Sequence, residues 1–184
     1  MTQIKINYEC EVLLSLLKKE MRGRELSREL NTSLTRIQSI LNELRNRTVL
    51  DYRTEGKNHV FFIKKNLMAK MFILNAENYK LIKIFEKYPI LEILFRDIIK
   101  KSPDKLIILF GSYAKFIPKE DSDIDIYVDT NERRVKEDIE LLNTSLSVKI
   151  GSFNKDDLLI KEIIKNHAII QGVEIFYEKL GFFK

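Results

Sequence analysis

Asp123 and Asp125 stand two apart, with Ile124 between them and Ile126 after. On a strand this spacing sends both carboxylates to one face and both isoleucines to the other, into a core. Two carboxylates on one face form a hard oxygen site suited to Mg²⁺. They also repel each other, and a bound cation relieves that repulsion. Ten residues separate Asp123 from Ser112, which with Gly111 closes the apolar run Lys105 to Phe110. Glycine lets a ligand approach the backbone closely. N–H groups at the start of a following helix would face a phosphate, the Ser112 hydroxyl would donate to it, and Lys115 would add a positive charge. Two metals about 3.5–4 Å apart at such a site would activate a hydroxyl and neutralise a triphosphate for in-line displacement. Taken singly, each part has a plainer reading. Gly111-Ser112 also fits an ordinary strand-to-helix turn, Asp123-Ile124-Asp125 a solvated edge strand, and Lys115 a solvated surface cation.

These residues need elements to hold them. From Ile90 the pattern alternates: helix Ile90 to Lys101, buried strand Lys105 to Phe110, strand Ile124 to Val128, helix Glu132 to Asn143, strand Leu146 to Ile150, helix Lys155 to Asn166, and a short helix Gly172 to Lys179. Before it, residues 66–88 read as a helical connector. Asn75 is the expected cap of a helix through Lys87, with Tyr79, Ile82 and Phe85 inward and Pro89 as punctuation.

The run Phe110-Gly111-Ser112, a gap, then Ser122-Asp123-Ile124-Asp125-Ile126 resembles the DNA polymerase beta nucleotidyltransferase superfamily, especially its minimal branch. Ala114-Lys115 matches a usual pair of that branch. The resemblance covers about residues 90–180. It implies that Gly111, Ser112 and Lys115 bind the nucleotide. It also implies that Asp123 and Asp125 hold Mg²⁺ as catalytic residues and that an NTP, ATP first, is the donor. The minimal branch further suggests an antitoxin-like role, with a small helical partner protein as acceptor. Two positions depart from the pattern. Phe116 stands where the branch usually has Gly, and the next strand carries Lys149 near the place of a third carboxylate. Asp129 shares the face of Asp125 but lies at the far end of the strand.

The N-terminal third reads differently. Residues 1–65 hold 13 Lys and Arg against 8 Asp and Glu, while the remaining residues hold 19 of each. All the excess positive charge, +5, is therefore local. Such an imbalance favours a polyanion, although a solubilising surface would look the same. Helical spacing marks Glu11 to Met21, ended by Gly23. Helices Glu25 to Leu30 and Leu34 to Arg47 follow, then a hairpin of Val49 to Thr54 and His59 to Lys64 around Glu55-Gly56-Lys57-Asn58. This order resembles winged helix-turn-helix domains. The resemblance implies double-stranded DNA as a partner. Thr35, Arg36, Ser39, Asn42 and Arg47 would lie on the reading helix, with Arg53 and Lys57 on the wing. A dimer would suit paired half-sites. A protein-docking winged helix is the alternative.

The lone cysteine, Cys10, and the lack of an apolar run of about 18 residues point to a cytoplasmic protein without a membrane span. No His/Cys cluster has zinc spacing, and His59 and His167 read as structural. The fold class expected is mixed α/β (α+β). A winged helix at 1–65 and a connector at 66–88 precede a nucleotidyltransferase domain at 89–184, with a small mixed sheet flanked by helices. Two functions stand side by side: a Mg²⁺-dependent nucleotidyltransferase, or a DNA-binding regulator whose degenerate nucleotidyltransferase domain senses a nucleotide.

Overall fold

The computed structural model describes residues 6–183. The chain divides into two compact units, one running through Tyr79 and the other from Lys80 to Phe182. Together they give the mixed helix-and-sheet architecture expected from the sequence.

In the first unit, α1 (Tyr8–Lys18) starts where the Asn7 side chain accepts from the N–H groups of Glu9 and Cys10. It buries Val12, Leu13 and Leu16. Burial also pushes the Cys10 thiol up to about 11, which keeps it protonated and unreactive. The helix stops at Lys18, short of the expected Met21. Met21 and Arg22 instead form a two-residue strand, β1, and Gly23 opens the next helix rather than closing the first. The competing force is sheet pairing: Met21 sits opposite Phe61 and is buried. Helix α2 (Gly23–Glu29) is tied at its start by a 2.7 Å bond from the Arg22 N–H to the Glu25 carboxylate. Helix α3 (Leu34–Asn46) is capped by Ser33, which accepts from the Arg36 N–H. Its buried face is Ile37, Leu41 and Leu44. Strands β2 (Leu50–Glu55) and β3 (Asn58–Ile63) make the expected hairpin, turning through Gly56 at φ +60°. The sheet order is β1-β3-β2, all antiparallel.

Helix α4 (Leu67–Lys87) begins about two turns before Asn75 and contains the division between the units. Its start is set by Asn66, whose side chain accepts from the Ala69 N–H at 2.8 Å. Ile82, expected inward, is 53% exposed, and Ile84 is the buried residue.

The second unit contains α5 (Ile90–Lys101), β4 (Ile107–Phe110), α6 (Gly111–Ala114), β5 (Ile124–Asp129) and α7 (Arg133–Glu140). Then come β6 (Leu146–Gly151), α8 (Leu158–Lys165), β7 (Ala168–Gln171) and α9 (Val173–Leu180). Its sheet runs β6-β5-β4-β7 and is mixed: β5 and β6 are parallel, joined by the α7 crossover, and the other pairs are antiparallel. Ile107, Leu109, Ile126 and Val128 are fully buried in one core with Leu91, Phe95 and Ile98 of α5. Each such side chain contributes about 1.5–3 kcal/mol of transfer free energy, so β4 and β5 are the fixed frame of this unit. Strand β7 was not anticipated. Among the described residues, no helix is long and apolar enough to cross a membrane.

Candidate functional site

Strands β4 and β5 pair with Phe110 opposite Asp125, so the turn that leaves β4 lies beside the carboxylate that β5 presents. Gly111 takes φ +70°, a left-handed conformation that favours glycine. A Cβ placed there would overlap Asp125 Oδ2 and lie 3.0 Å from its Cγ. The missing side chain is therefore what lets the carboxylate lie against the turn. Ser112 follows, half-buried, in the one-turn helix α6. Asp123 stands one residue before β5 and is exposed, while Asp125 is half-buried within the strand. Ile124 and Ile126 point to the opposite face, into the core, as the alternation requires. Ser122 fixes the approach: its hydroxyl accepts from the Lys119 N–H at 2.8 Å, and its own N–H donates to the Lys119 carbonyl.

The family described as "Polymerase beta, Nucleotidyltransferase" matches residues 79–177, more than half of the chain. The chain belongs to this nucleotidyltransferase family. A comparison with curated proteins gives no match.

Within this nucleotidyltransferase unit, burial holds the Asp125 carboxyl above its ordinary range, and the neighbouring Asp123 charge pushes the same way. A hydrogen bond from Ser147 and the charge of Lys149 oppose them. A divalent cation shared by the two carboxylates would remove both the repulsion and the cost of burying a charge. Mg²⁺ is commonly held by one or two carboxylates, with substrate phosphates and waters completing the shell. Asp123 and Asp125 beside the open turn at Gly111 fit that arrangement. Among the described residues, no three His, Cys, Asp or Glu side chains gather into a metal site.

The parallel register places Ser147, not Lys149, opposite Asp125. Lys149 lies opposite Tyr127, one pleat further on. The side chain beside Asp125 on β6 is thus a hydroxyl. Asp129 is engaged elsewhere: it accepts from the Phe153 N–H at 2.9 Å and pairs with Lys179 at 2.9 Å. Lys115 pairs with Glu162 of α8 at 2.9 Å, and both side chains are partly exposed. A phosphate would have to compete with that carboxylate for it. Phe116 takes φ +61°, which explains physically why glycine suits this position. The Phe116 carbonyl accepts from Lys87 Nζ at 2.8 Å, and Lys83 and Lys87 stand 5.4 and 5.5 Å from its ring centroid. His167 is buried, with its Nδ1 2.9 Å from the Ile163 carbonyl.

The first unit has a cleft of about 900 Å³ between α2, α3 and the hairpin. Arg22, Arg24, Arg28, Arg45 and Lys57 line it, against one carboxylate, Glu25. Gln38, Asn42 and Asn58 add amides, and His59 and Phe61 add rings. Of the residues predicted to contact DNA, Asn42 and Lys57 lie in this cleft. Arg36 and Arg47 lie on the other flank of α3. The Arg36 guanidinium stacks 4.4 Å from the Tyr8 ring of α1. Arg47 pairs with Glu43 at 2.6 Å, reaches Glu9 of α1 at 3.8 Å, and sits 5.7 Å from the Phe72 ring. Thr35 and Ser39 are exposed on α3 outside the cleft lining. Arg53 is held by Glu20 and Glu55. Sequence reasoning missed Arg22, Arg24, Arg28, Gln38 and Arg45. The signal for three of them was the cation spacing Arg22, Arg24, Arg28, which runs from β1 to the last turn of α2.

Two solved structures resemble part of the chain. The adhesin competence repressor AdcR of Streptococcus pyogenes is 15% identical, with a TM-score of 0.41, over 50% of this chain and 69% of that one. A mutant of Lactococcus lactis ZitR is 11% identical, with a TM-score of 0.38, over 50% of this chain and 63% of that one.

Proposed function

We propose that the second unit transfers a nucleotidyl group from an NTP, with ATP as the leading donor, to an acceptor hydroxyl, and that the first unit binds duplex DNA. The observation that carries the first part is the seating of the Asp125 carboxylate in the space left by Gly111. It couples a phosphate-accepting turn to a metal-accepting carboxylate in one rigid strand pair. Gly111 and Ser112 would receive the phosphates through backbone N–H groups and a hydroxyl. Asp123 and Asp125 would hold Mg²⁺ and orient the reacting phosphate. The ion, when bound, supplies charge neutralisation on the phosphates. Ser147 stands opposite Asp125 in the parallel register, where its hydroxyl would steady the carboxylate toward the turn.

A second reading, a nucleotide-sensing regulator that turns over slowly or not at all, is favoured by one observation: the residue opposite Asp125 is Ser147 rather than an acid. A hydroxyl at neutral pH neither accepts a proton well nor holds a second cation tightly. Calorimetry of ATP with Mg²⁺, followed by transfer of label from the α-phosphate, separates the readings. Binding and label transfer that both vanish in Asp123→Ala/Asp125→Ala support the transferase. Binding without transfer supports the sensor, and a folded wild type that binds no NTP overturns both.

The support for DNA binding is the cation lining of the first unit's cleft and the location of the whole excess of positive charge in residues 1–65. Phosphate contacts release counterions, so affinity would fall steeply with salt. A gel shift of duplex DNA across a salt series tests this, and salt-independent or absent binding would count against it.

A further inference from the structure

Tyr52 of β2 and His59 of β3 stack on one face of the hairpin, with ring centroids 3.9 Å apart and planes 8° from parallel. The Arg45 guanidinium lies 4.4 Å from the Tyr52 centroid. Phe61 stands beside them, 5.8 Å from Tyr52 and tilted by 56°. Arg45, His59 and Phe61 line the basic cleft, and His59 is exposed. Tyr52 is thus already packed by a cation and a ring, and the His59 ring is the accessible end of the stack.

Phosphate contact makes no use of such a stack. Rings and guanidinium planes set in a cation-rich groove are platforms for unpaired bases. In a duplex the faces of the bases are covered by their neighbours, and only edges and backbone are offered. The shape agrees: the concavity, about 900 Å³, is open to solvent along one side, as a groove that tracks a strand must be. Gln38, Asn42 and Asn58 on the wall carry donors and acceptors for a base edge. The single carboxylate of the lining, Glu25, is bonded to the Arg22 N–H.

We propose that this cleft takes nucleic acid through an unpaired base, stacked on the His59–Tyr52 pair, with flanking phosphates held by Arg24, Arg28 and Lys57. This deepens, and rests on, the nucleic-acid reading of the first unit. The tighter ligand is then a single strand, or a duplex with an unpaired end, and a continuous duplex binds the same cations more weakly, through its phosphates alone.

The test uses the full chain and two labelled probes, an oligo(dT) strand of about 12 nucleotides and a duplex of equal length, followed by fluorescence anisotropy at several salt concentrations. The strand is expected to bind at least about ten-fold more tightly than the duplex at equal salt. His59→Ala should weaken strand binding about ten-fold with an unchanged salt slope, as loss of one stacking contact requires. His59→Phe, which keeps a ring, should recover most of it. Arg24→Ala should instead lower the salt slope by about one. Circular dichroism of each variant checks the fold, and the Phe variant carries the test if the Ala variant does not fold. Equal or tighter binding of the duplex, or His59→Phe as weak as a folded His59→Ala, overturns the stacking site while leaving the nucleic-acid reading intact. No binding of either probe overturns both.

Discussion

In the second unit, the turn and both carboxylates come from one stretch, Leu109 to Val128, folded back across a single strand pair. In the first unit, the cations of the cleft come from β1, α2, α3 and the hairpin turn. The contrast lies in what fixes each group. Asp125 is set by strand alternation and by contact with the Gly111 backbone, so its position is nearly a consequence of local sequence. Arg45 and Lys57 are set by how a helix and a hairpin pack, with long flexible side chains at the end. The first site should therefore fail sharply when one backbone position is altered, and the second should weaken in graded steps.

Gly111→Ala is the sharpest way to break this contrast. It forces a Cβ into the Asp125 carboxylate and places a non-glycine residue at φ +70°. Strain of this kind costs about 1–3 kcal/mol, and the carboxylate must also move. Calorimetry should show Mg²⁺-dependent ATP affinity lowered by about a hundred-fold or more, with a lower melting temperature. Near-normal binding would mean that the turn is not the phosphate cradle. Asp125→Asn separates function from stability at the same place. Burial raises the Asp125 pKa, so in the ion-free protein this group favours folding below its ordinary carboxylate range. That contribution is lost as pH rises through the raised value. At neutral pH the amide should raise the melting temperature by about 2 °C while abolishing ATP–Mg²⁺ binding. A drop in both would show that the charge is needed by the fold itself.

Ser147→Asp sharpens the comparison in the other direction. It adds an acid opposite Asp125 in the parallel register, where a second cation or a proton acceptor would help. Transfer should rise by about ten-fold or more if the missing group limits turnover. Lys149→Asp, one pleat away, should do less. If neither changes transfer, the hydroxyl of Ser147 is not the limiting departure.

The sequence made the strand pair and its carboxylates readable because alternation has a period of two and leaves no choice of face for Ile124 and Ile126. The flank of α3 was not readable. Arg36, Gln38, Ser39 and Arg45 all flank the same buried stripe, and only the packing of α1 decides which flank is covered. Tyr8 and Glu9 cover the Arg36 and Arg47 side, leaving Gln38, Asn42 and Arg45 toward the hairpin. Strand β7 escaped for a related reason. Ala168 to Gln171 is four residues long and follows a helix of similar apolar content, so periodicity cannot end one and begin the other. Its pairing to β4 and the left-handed Gly172, close to Leu106, define it only in three dimensions.

In the first unit the effects should be smaller and graded. Arg24→Ala/Arg28→Ala should weaken nucleic-acid binding by about ten-fold at moderate salt and lower the salt slope by about two. Arg36→Ala should leave the slope alone and cost about 0.5–1 kcal/mol of stability through the lost Tyr8 stack. A salt series and a thermal melt on each variant check both. Reversed results would return the binding face to the flank covered by α1.

Phe116 gives the smallest expected change, because two effects of similar size oppose each other there. Phe116→Gly removes a left-handed penalty of about 1–2 kcal/mol. It also removes a half-buried ring packed on the core and faced by Lys83 and Lys87, worth about 1–2 kcal/mol. Glycine adds a further cost of about 0.5–1 kcal/mol through the freedom of the unfolded chain. The net change should be a destabilisation within about 1 kcal/mol, read as a shift of a few degrees in the melting temperature. Nucleotide affinity should be unchanged, because the Lys87 bond is to the backbone carbonyl of residue 116 and survives the substitution. A large loss of affinity would tie the ring to the phosphate turn, and would place a side chain of this site under tertiary control after all.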